Sequence, residues 1–324
     1  MGQTIVVVND VDIAQDLLEM RSKTNASRPS SVVIGELTGW NRIVSVQGDR
    51  DIVRVHRRCI TKCIGSTKAF AGFNDQLDIE ACHLMLRIMK QPDDLANHIR
   101  RQTGSIILNI VYGYSVEPHE QDPLVELADL STTQFSMAAE PGAWLIDIFP
   151  ILKYLPMWFP GASIQRKARE WRTVLETLAE KPYAFVLDRR EQNTYKKSYV
   201  SEHLDQLGRE PTSEEEFTIK WTAATMYGAG ADTTVSSLQT FYLAMALHPK
   251  VQEKAREEIH RVVGTNRLPT MDDKESLPYI NALLLEVLRW HPVAPLGLPH
   301  MTTEEIDFRG YRIPEGATII CNIW

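Results

Sequence analysis

The sequence predicts a mainly α-helical chain with small β-sheets. Three observations predict it. From Asp51 to Trp290, apolar residues recur at helical spacing with little interruption. β-branched runs with turn signals are confined to the two ends, at Thr4–Val8 and within 301–324. The 324 residues are 44% hydrophobic and 24% charged, an ordinary globular composition that suffices for one large domain or two small ones.

Taken in order, Thr4–Val8 reads as a strand ended by Asn9-Asp10. Asp10 can then cap a helix over Val11–Arg21, with Ile13, Leu17 and Leu18 on one face. Asn25–Ser31 reads as loop, and Val32–Leu37 and Arg42–Val46 as short extended segments. Helices are expected at about 51–65, 76–90, 93–113, 122–139, 162–191, 212–247, 249–263 and 275–290. Gly310 and Pro314-Glu315-Gly316 mark turns in the terminal β region. The stretch AWLIDIFPILKYLPMWFPG at 143–161 is apolar and aromatic, and Pro150, Pro156 and Pro160 forbid one long helix there. Two readings stand for it: a buried irregular connection, or a surface segment dipping into a membrane interface.

Net charge is −7, from 35 basic and 42 acidic residues, so no global basic field points to nucleic acid. The four cysteines, at 59, 63, 82 and 321, do not suggest a disulfide scaffold, and reduced thiols are expected. Asn25-Ala26-Ser27 is formally a glycosylation sequon, read as a chance match. MGQTIVVVND lacks the charged and apolar regions of a signal peptide. No apolar run approaches the ~20 residues that span a bilayer.

Chemistry gathers in TMYGAGADTTVSSLQ, residues 225–239. Each of Gly228 and Gly230 should cost a helix interior roughly 1 kcal/mol relative to alanine. Gly228, Ala229, Gly230 and Ala231 form a turn almost without side chains, against which a flat object or a neighbouring helix could rest. Thr233 or Thr234 can bond a carbonyl one turn back. Asp232 beside a hydroxyl is a plausible proton relay. Glu-x-x-Arg occurs at Glu253/Arg256, Glu258/Arg261 and Glu286/Arg289. The first two lie in the charged run VQEKAREEIHR and read as solvated pairs. The third follows Leu283-Leu284-Leu285 and precedes Trp290, which predicts a buried pair that fixes architecture.

AGADTT at 229–234, Glu286–Arg289, HPVAPLGLPH and GYRIPEGATIICNIW together resemble a cytochrome P450, a haem-thiolate monooxygenase. LLEMRSKTNASRP and SIILNIVYGY extend the resemblance into the N-terminal half. The style is that of filamentous-fungal enzymes of secondary metabolism. The resemblance implies a single cytochrome P450 domain over 1–324. It also implies haem, dioxygen, a hydrophobic small-molecule substrate, and NADPH through a cytochrome P450 reductase at the cytosolic face of the endoplasmic reticulum.

The resemblance also assigns roles. Asp232 and Thr233 match the acid–alcohol pair that delivers protons to dioxygen. Ala229 and Gly230 match the turn on which the cofactor lies. Glu286 and Arg289 match the structural ion pair. His300 and Arg57 match contacts to the haem propionates, although the family's Trp four residues before that Arg is Val53 here. Arg50, Arg54, Arg57, Arg58 and Lys62 read either as a reductase-docking face or as a solvated helix face. The family holds iron by a Cys in FxxGxRxCxG, a loop expected after Trp324. Thr61 and Cys59 stand where Arg and Gly would precede Cys63, so that cysteine does not match it. The sequence therefore reads as a P450 fold incomplete at both ends, without its membrane anchor or its axial thiolate. An inactive remnant acting at most as a binding module is the alternative. An unrelated all-α scaffold is a third.

Overall fold

Asp10 ends the first strand and opens the first helix. In the computed structural model its carboxylate accepts from Ile13 N at 2.9 Å, capping Val11–Gln15. The structure describes residues 2–117, 121–140, 142–156, 158–160 and 162–324. The strand Ile5–Val8 pairs in parallel with Thr318–Cys321 from the other end of the chain. His300–Met301 completes that sheet on the far side of Thr318–Cys321, antiparallel to it. A separate hairpin joins Ile306–Phe308 to Tyr311–Ile313 through Gly310, whose φ of 82° suits glycine. Val8, Leu17, Phe308 and Ile319 bury a small core beneath these strands.

The rest is helical. Ser213–Leu247 runs through the middle of the main core, where Trp221, Ala224 and Tyr227 meet Leu108 and Tyr112 of Leu95–Tyr112 and Leu175 and Leu178 of Ser163–Glu191. Arg50–Ile64, Pro123–Ala138 and Tyr199–Leu207 pack around this centre. One capping device is used twice. Arg209-x-Pro-Thr212 precedes Glu215, which accepts both Arg209 Nη groups at 2.8 Å and Thr212 N at 2.8 Å. Arg267-x-Pro-Thr270 precedes Asp273, which accepts both Arg267 Nη groups at 2.7 Å and Thr270 N at 2.9 Å. Each acid satisfies a donor that a helix start would otherwise leave open.

Several expectations need correction. Val32–Leu37 is a wide helical turn, not extended, because Asp147 from a distant segment accepts from Val32 N at 2.7 Å and Val33 N at 3.1 Å. Arg42 ends the short 3-10 helix Trp40–Arg42, and residues 43–46 are bend and turn, with Val44 N donating to Thr225 Oγ1 at 3.3 Å. The Tyr199–Leu207 helix has no counterpart among those the sequence predicts; its start rests on Ser198 and Ser201, which cap each other's backbone. Asn25 is fully buried and donates to the Leu17 carbonyl at 2.9 Å, so the sequon is structural. Four cysteines are free, and among the described residues no helix is long and apolar enough to cross a membrane.

Candidate active site

The turn 229–234 keeps its helical hydrogen bonding. Thr233 Oγ1 donates to the Ala229 carbonyl at 2.8 Å, the bond back along the helix that its position allows. The small residues divide by face. A Cβ on Gly230 would come within 2.8 Å of Ile107, so this glycine admits the Leu95–Tyr112 helix. Gly228 is buried, with Leu178 nearby. Ala229, Asp232, Thr233 and Thr234 are exposed, in a helix otherwise largely covered. Ala229 and Thr233 therefore present one bare face, while the Ile107 contact accounts for the glycine at 230. Although Asp232 keeps access to solvent, partial desolvation by the flanking helices, then the nearby Asp129, raise its carboxyl above the usual range, against Arg100.

A second group of predicted residues assembles at the sheet. Met301 N donates to Ser27 O at 2.9 Å and Thr303 N to Thr24 O at 2.7 Å, so residues 24–28 lie along the strand that carries His300. This brings Arg28 beside His300 and Arg57. Arg28 Nη1 donates to the carbonyls of Leu298 and Pro299 at 2.6 and 2.9 Å. Burial and Arg57 lower Arg28 to about 10. Burial, then Arg28 and Arg57, lower His300 to about 4, although the Asn25 backbone opposes the shift. His300 Nδ1 is buried without a partner. Arg57 is exposed, on the helix that Asp49 caps. No carboxylate pairs with any of the three among the described residues. Three basic groups and an orphan nitrogen make a corner that fits a carboxylate-bearing ligand. Arg28 was not singled out by sequence reasoning: a lone Arg-Pro in a loop carries no periodic signal.

The predicted ion pair forms but lies elsewhere in character. Arg289 Nε and Nη2 donate to Glu286 at 2.7 Å each. The side chains are 71% and 57% exposed, so the expectation of burial is overturned. The physical reason is that Pro278–Trp290 buries only Val287, and Leu284, Leu285 and Leu288 are exposed with the pair. An apolar neighbourhood in sequence did not identify the covered face. No hydrogen bond or ion pair joins Glu286–Arg289, the Asp232–Thr233 turn and the His300 corner to one another among the described residues.

A profile described as Cytochrome P450 matches residues 1–324, and the chain belongs to that family. It is 44% identical over 323 residues to Cytochrome P450 monooxygenase ppsD of Aspergillus oryzae, covering 100% of this chain and 61% of that one. It is 40% identical over 326 residues to Cytochrome P450 monooxygenase claR of Ampulloclitocybe clavipes, covering 100% and 60%. O-methylsterigmatocystin oxidoreductase of Aspergillus flavus is 37% identical over 324 residues, with 100% and 61% covered. The chain thus spans about three fifths of the length of these relatives.

Proposed function

We propose that this chain carries the dioxygen-activating and haem-seating residues of a monooxygenase. The enzyme would insert one atom of O2 into a hydrophobic small molecule, a fungal secondary metabolite, with electrons from NADPH through a reductase. The observation that carries the reading is the exposure of Ala229, Asp232, Thr233 and Thr234, an acid and a back-bonded hydroxyl among them, in the middle of a helix otherwise exposed only near its ends. Haem, when bound, supplies the site at which dioxygen is held and reduced. Its carboxylates suit the corner of Arg28, Arg57 and His300, whose unpartnered Nδ1 would gain a hydrogen bond. Thr233 donates to Ala229 and so keeps lone pairs free to accept from a water. Asp232, raised by partial desolvation and by Asp129, is suited to hold a proton and pass it on.

Burial pushes the Cys63 thiol up to about 11, and raises Cys59 and Cys321, so the reading assigns the iron to none of them. Exposed Leu145, Ile148, Phe149, Ile151, Tyr154 and Trp158 favour the membrane-interface reading of 143–161, at the endoplasmic reticulum in the whole protein. Met157 and Gly161 of that stretch lie outside the described residues. Exposed Arg50, Arg54 and Arg58 suit an acidic reductase. The exposure of Glu286–Arg289 favours a second reading, a chain that folds without turnover and acts at most as a binding module.

The test is Thr233→Ala in the holoenzyme. It should still bind haem and consume NADPH, but release peroxide in place of product. Thr234→Ala is the control, about 100° further round the helix. An unchanged product-to-NADPH ratio in Thr233→Ala overturns the relay. Failure of the purified chain to take up haem, read at the Soret band, supports the second reading.

A further inference from the structure

The end of Leu95–Tyr112 and the end of Ser163–Glu191 frame a cleft of about 370 Å³. Gly113 closes the first helix with a φ of 66°, and a Cβ there would come within 2.9 Å of Lys196. The second helix closes with Asn193 at a φ of 54° and with Thr194 N donating to the Arg189 carbonyl at 2.9 Å. Buried Tyr112 and Val186 line the cleft from the core side. Tyr114 and Phe185 form an aromatic wall, edge to face with ring centres 5.1 Å apart, and the Tyr114 hydroxyl donates to Asp122 at 2.9 Å. Lys196 Nζ donates to Ser115 Oγ at 2.8 Å, and the Arg189 guanidinium lies over the Phe185 ring at 5.3 Å. Among the described residues neither cation forms an ion pair, whereas their chain neighbours Lys197 and Arg190 pair with Glu202 and Asp205. Glu117 is the carboxylate on the lining, and it is exposed and pairs with neither.

We propose that this cleft binds a small planar organic anion, an aromatic carboxylate, with its ring against Tyr114 and Phe185 and its carboxylate shared by Lys196 and Arg189. The site goes beyond the monooxygenase reading and does not depend on it. Two cations that line one cleft without a carboxylate partner favour an anion there. Both are held before a ligand arrives: Ser115 fixes the ammonium, and stacking on Phe185 fixes the plane of the guanidinium. The wall selects among anions. An aromatic ring meets Tyr114 and Phe185 edge to face or offset, which a saturated ring or an inorganic anion cannot do. The cleft is near the low end of the about 300–1,000 Å³ of small-molecule sites, which limits the size of the occupant. Tyr112, on the core side, packs edge-on against Tyr227 of Ser213–Leu247 at 5.9 Å, so an occupant stands one ring away from the long helix.

The test is titration calorimetry of the full-length holoenzyme with 1-naphthoate, with the Soret band followed in parallel to register any occupancy at the haem. Naphthoate should bind more tightly than cyclohexanecarboxylate or inorganic phosphate. Lys196→Gln and Arg189→Gln should each weaken it about tenfold, as the loss of one charge-assisted bond does. Phe185→Leu should narrow the preference for naphthoate over cyclohexanecarboxylate. Lys197→Gln, next in the chain but paired with Glu202, should have no effect. Lys196 and Arg189 are exposed, so the melting temperatures of their variants should match wild type and the losses report binding alone. Naphthoate binding that survives both charge substitutions, phosphate binding as tight as that of naphthoate, or no binding at all overturns the proposal.

Discussion

Glu258 and Glu286 occupy the same Glu-x-x-Arg pattern and meet opposite fates. Glu286 has the better ion pair, two bonds of 2.7 Å to Arg289, yet its side chain is 57% exposed. Glu258 reaches Arg261 only at 3.6 Å, and its side chain is 7% exposed. What Glu258 does instead is accept from Tyr279 N at 3.1 Å and Ile280 N at 3.0 Å, at the start of Pro278–Trp290. The structural acid of this region is thus the one whose sequence looked solvated. A short pair in water contributes little, whereas a buried carboxylate that closes orphan amides at a helix start cannot be removed without leaving them open.

Four measurements test which acids and bases of this chain carry stability. The largest effect should come from Glu258→Ala, which leaves two part-buried amides open and should cost about 1–3 kcal/mol in denaturant unfolding. Glu258→Gln, which keeps one acceptor oxygen, should recover part of it. A loss no greater than that of Glu286→Ala would restore the sequence's ranking.

His300 comes next. Its folded-state value of about 4 lies below the ordinary histidine value, so the unfolded chain binds the extra proton first. Its contribution is therefore complete above about pH 6.5 and declines as pH falls toward 4, by about 1–2 kcal/mol for a half-buried ring. A His300→Gln variant should flatten that limb of the stability profile. A carboxylate ligand seated at Arg28 should move the ring's titration, followed by NMR, back to higher pH.

Glu215 gives a smaller effect on the acid side. Its bonds to Arg209 and to Thr212 N hold it at about 2. A depressed carboxylate contributes above its unfolded value and loses that contribution as pH falls, here from about pH 4.5 toward 2. The acid melting profile of Glu215→Gln should lie nearly parallel to wild type above that window and converge with it below. The smallest effect should be that of Glu286→Ala or Arg289→Ala in this chain, with no measurable change in melting temperature. A clear destabilisation would show that their face is covered in solution.

Local signals were legible in the sequence where the physics is local. Asp10 caps the helix it precedes, the long helix was placed within a residue of its observed ends, and Thr233 bonds one turn back. What the sequence hid depends on partners distant along the chain. Val32–Leu37 owes its helical turn to Asp147, Gly230 owes its lack of side chain to Ile107, and Arg28 meets His300 through the strand pairing of residues 24–28. Glu258 is buried by a helix that begins twenty residues later, which its own charged run does not reveal.

The Ser213–Leu247 helix has 35 residues, about 52 Å of continuous rod at 1.5 Å per residue. Its first half is core and its middle is the bare turn, joined by unbroken helical hydrogen bonding. Amides from Ile219 to Gly228 should therefore exchange with deuterium only on global opening. The amides of Ala229–Asp232 bond to the carbonyls of Thr225–Gly228, inside that protected stretch, and should inherit much of its protection. The proton-carrying residues thus ride on the slowest-opening part of the molecule, and any looseness the chemistry needs must be supplied by the elements around them.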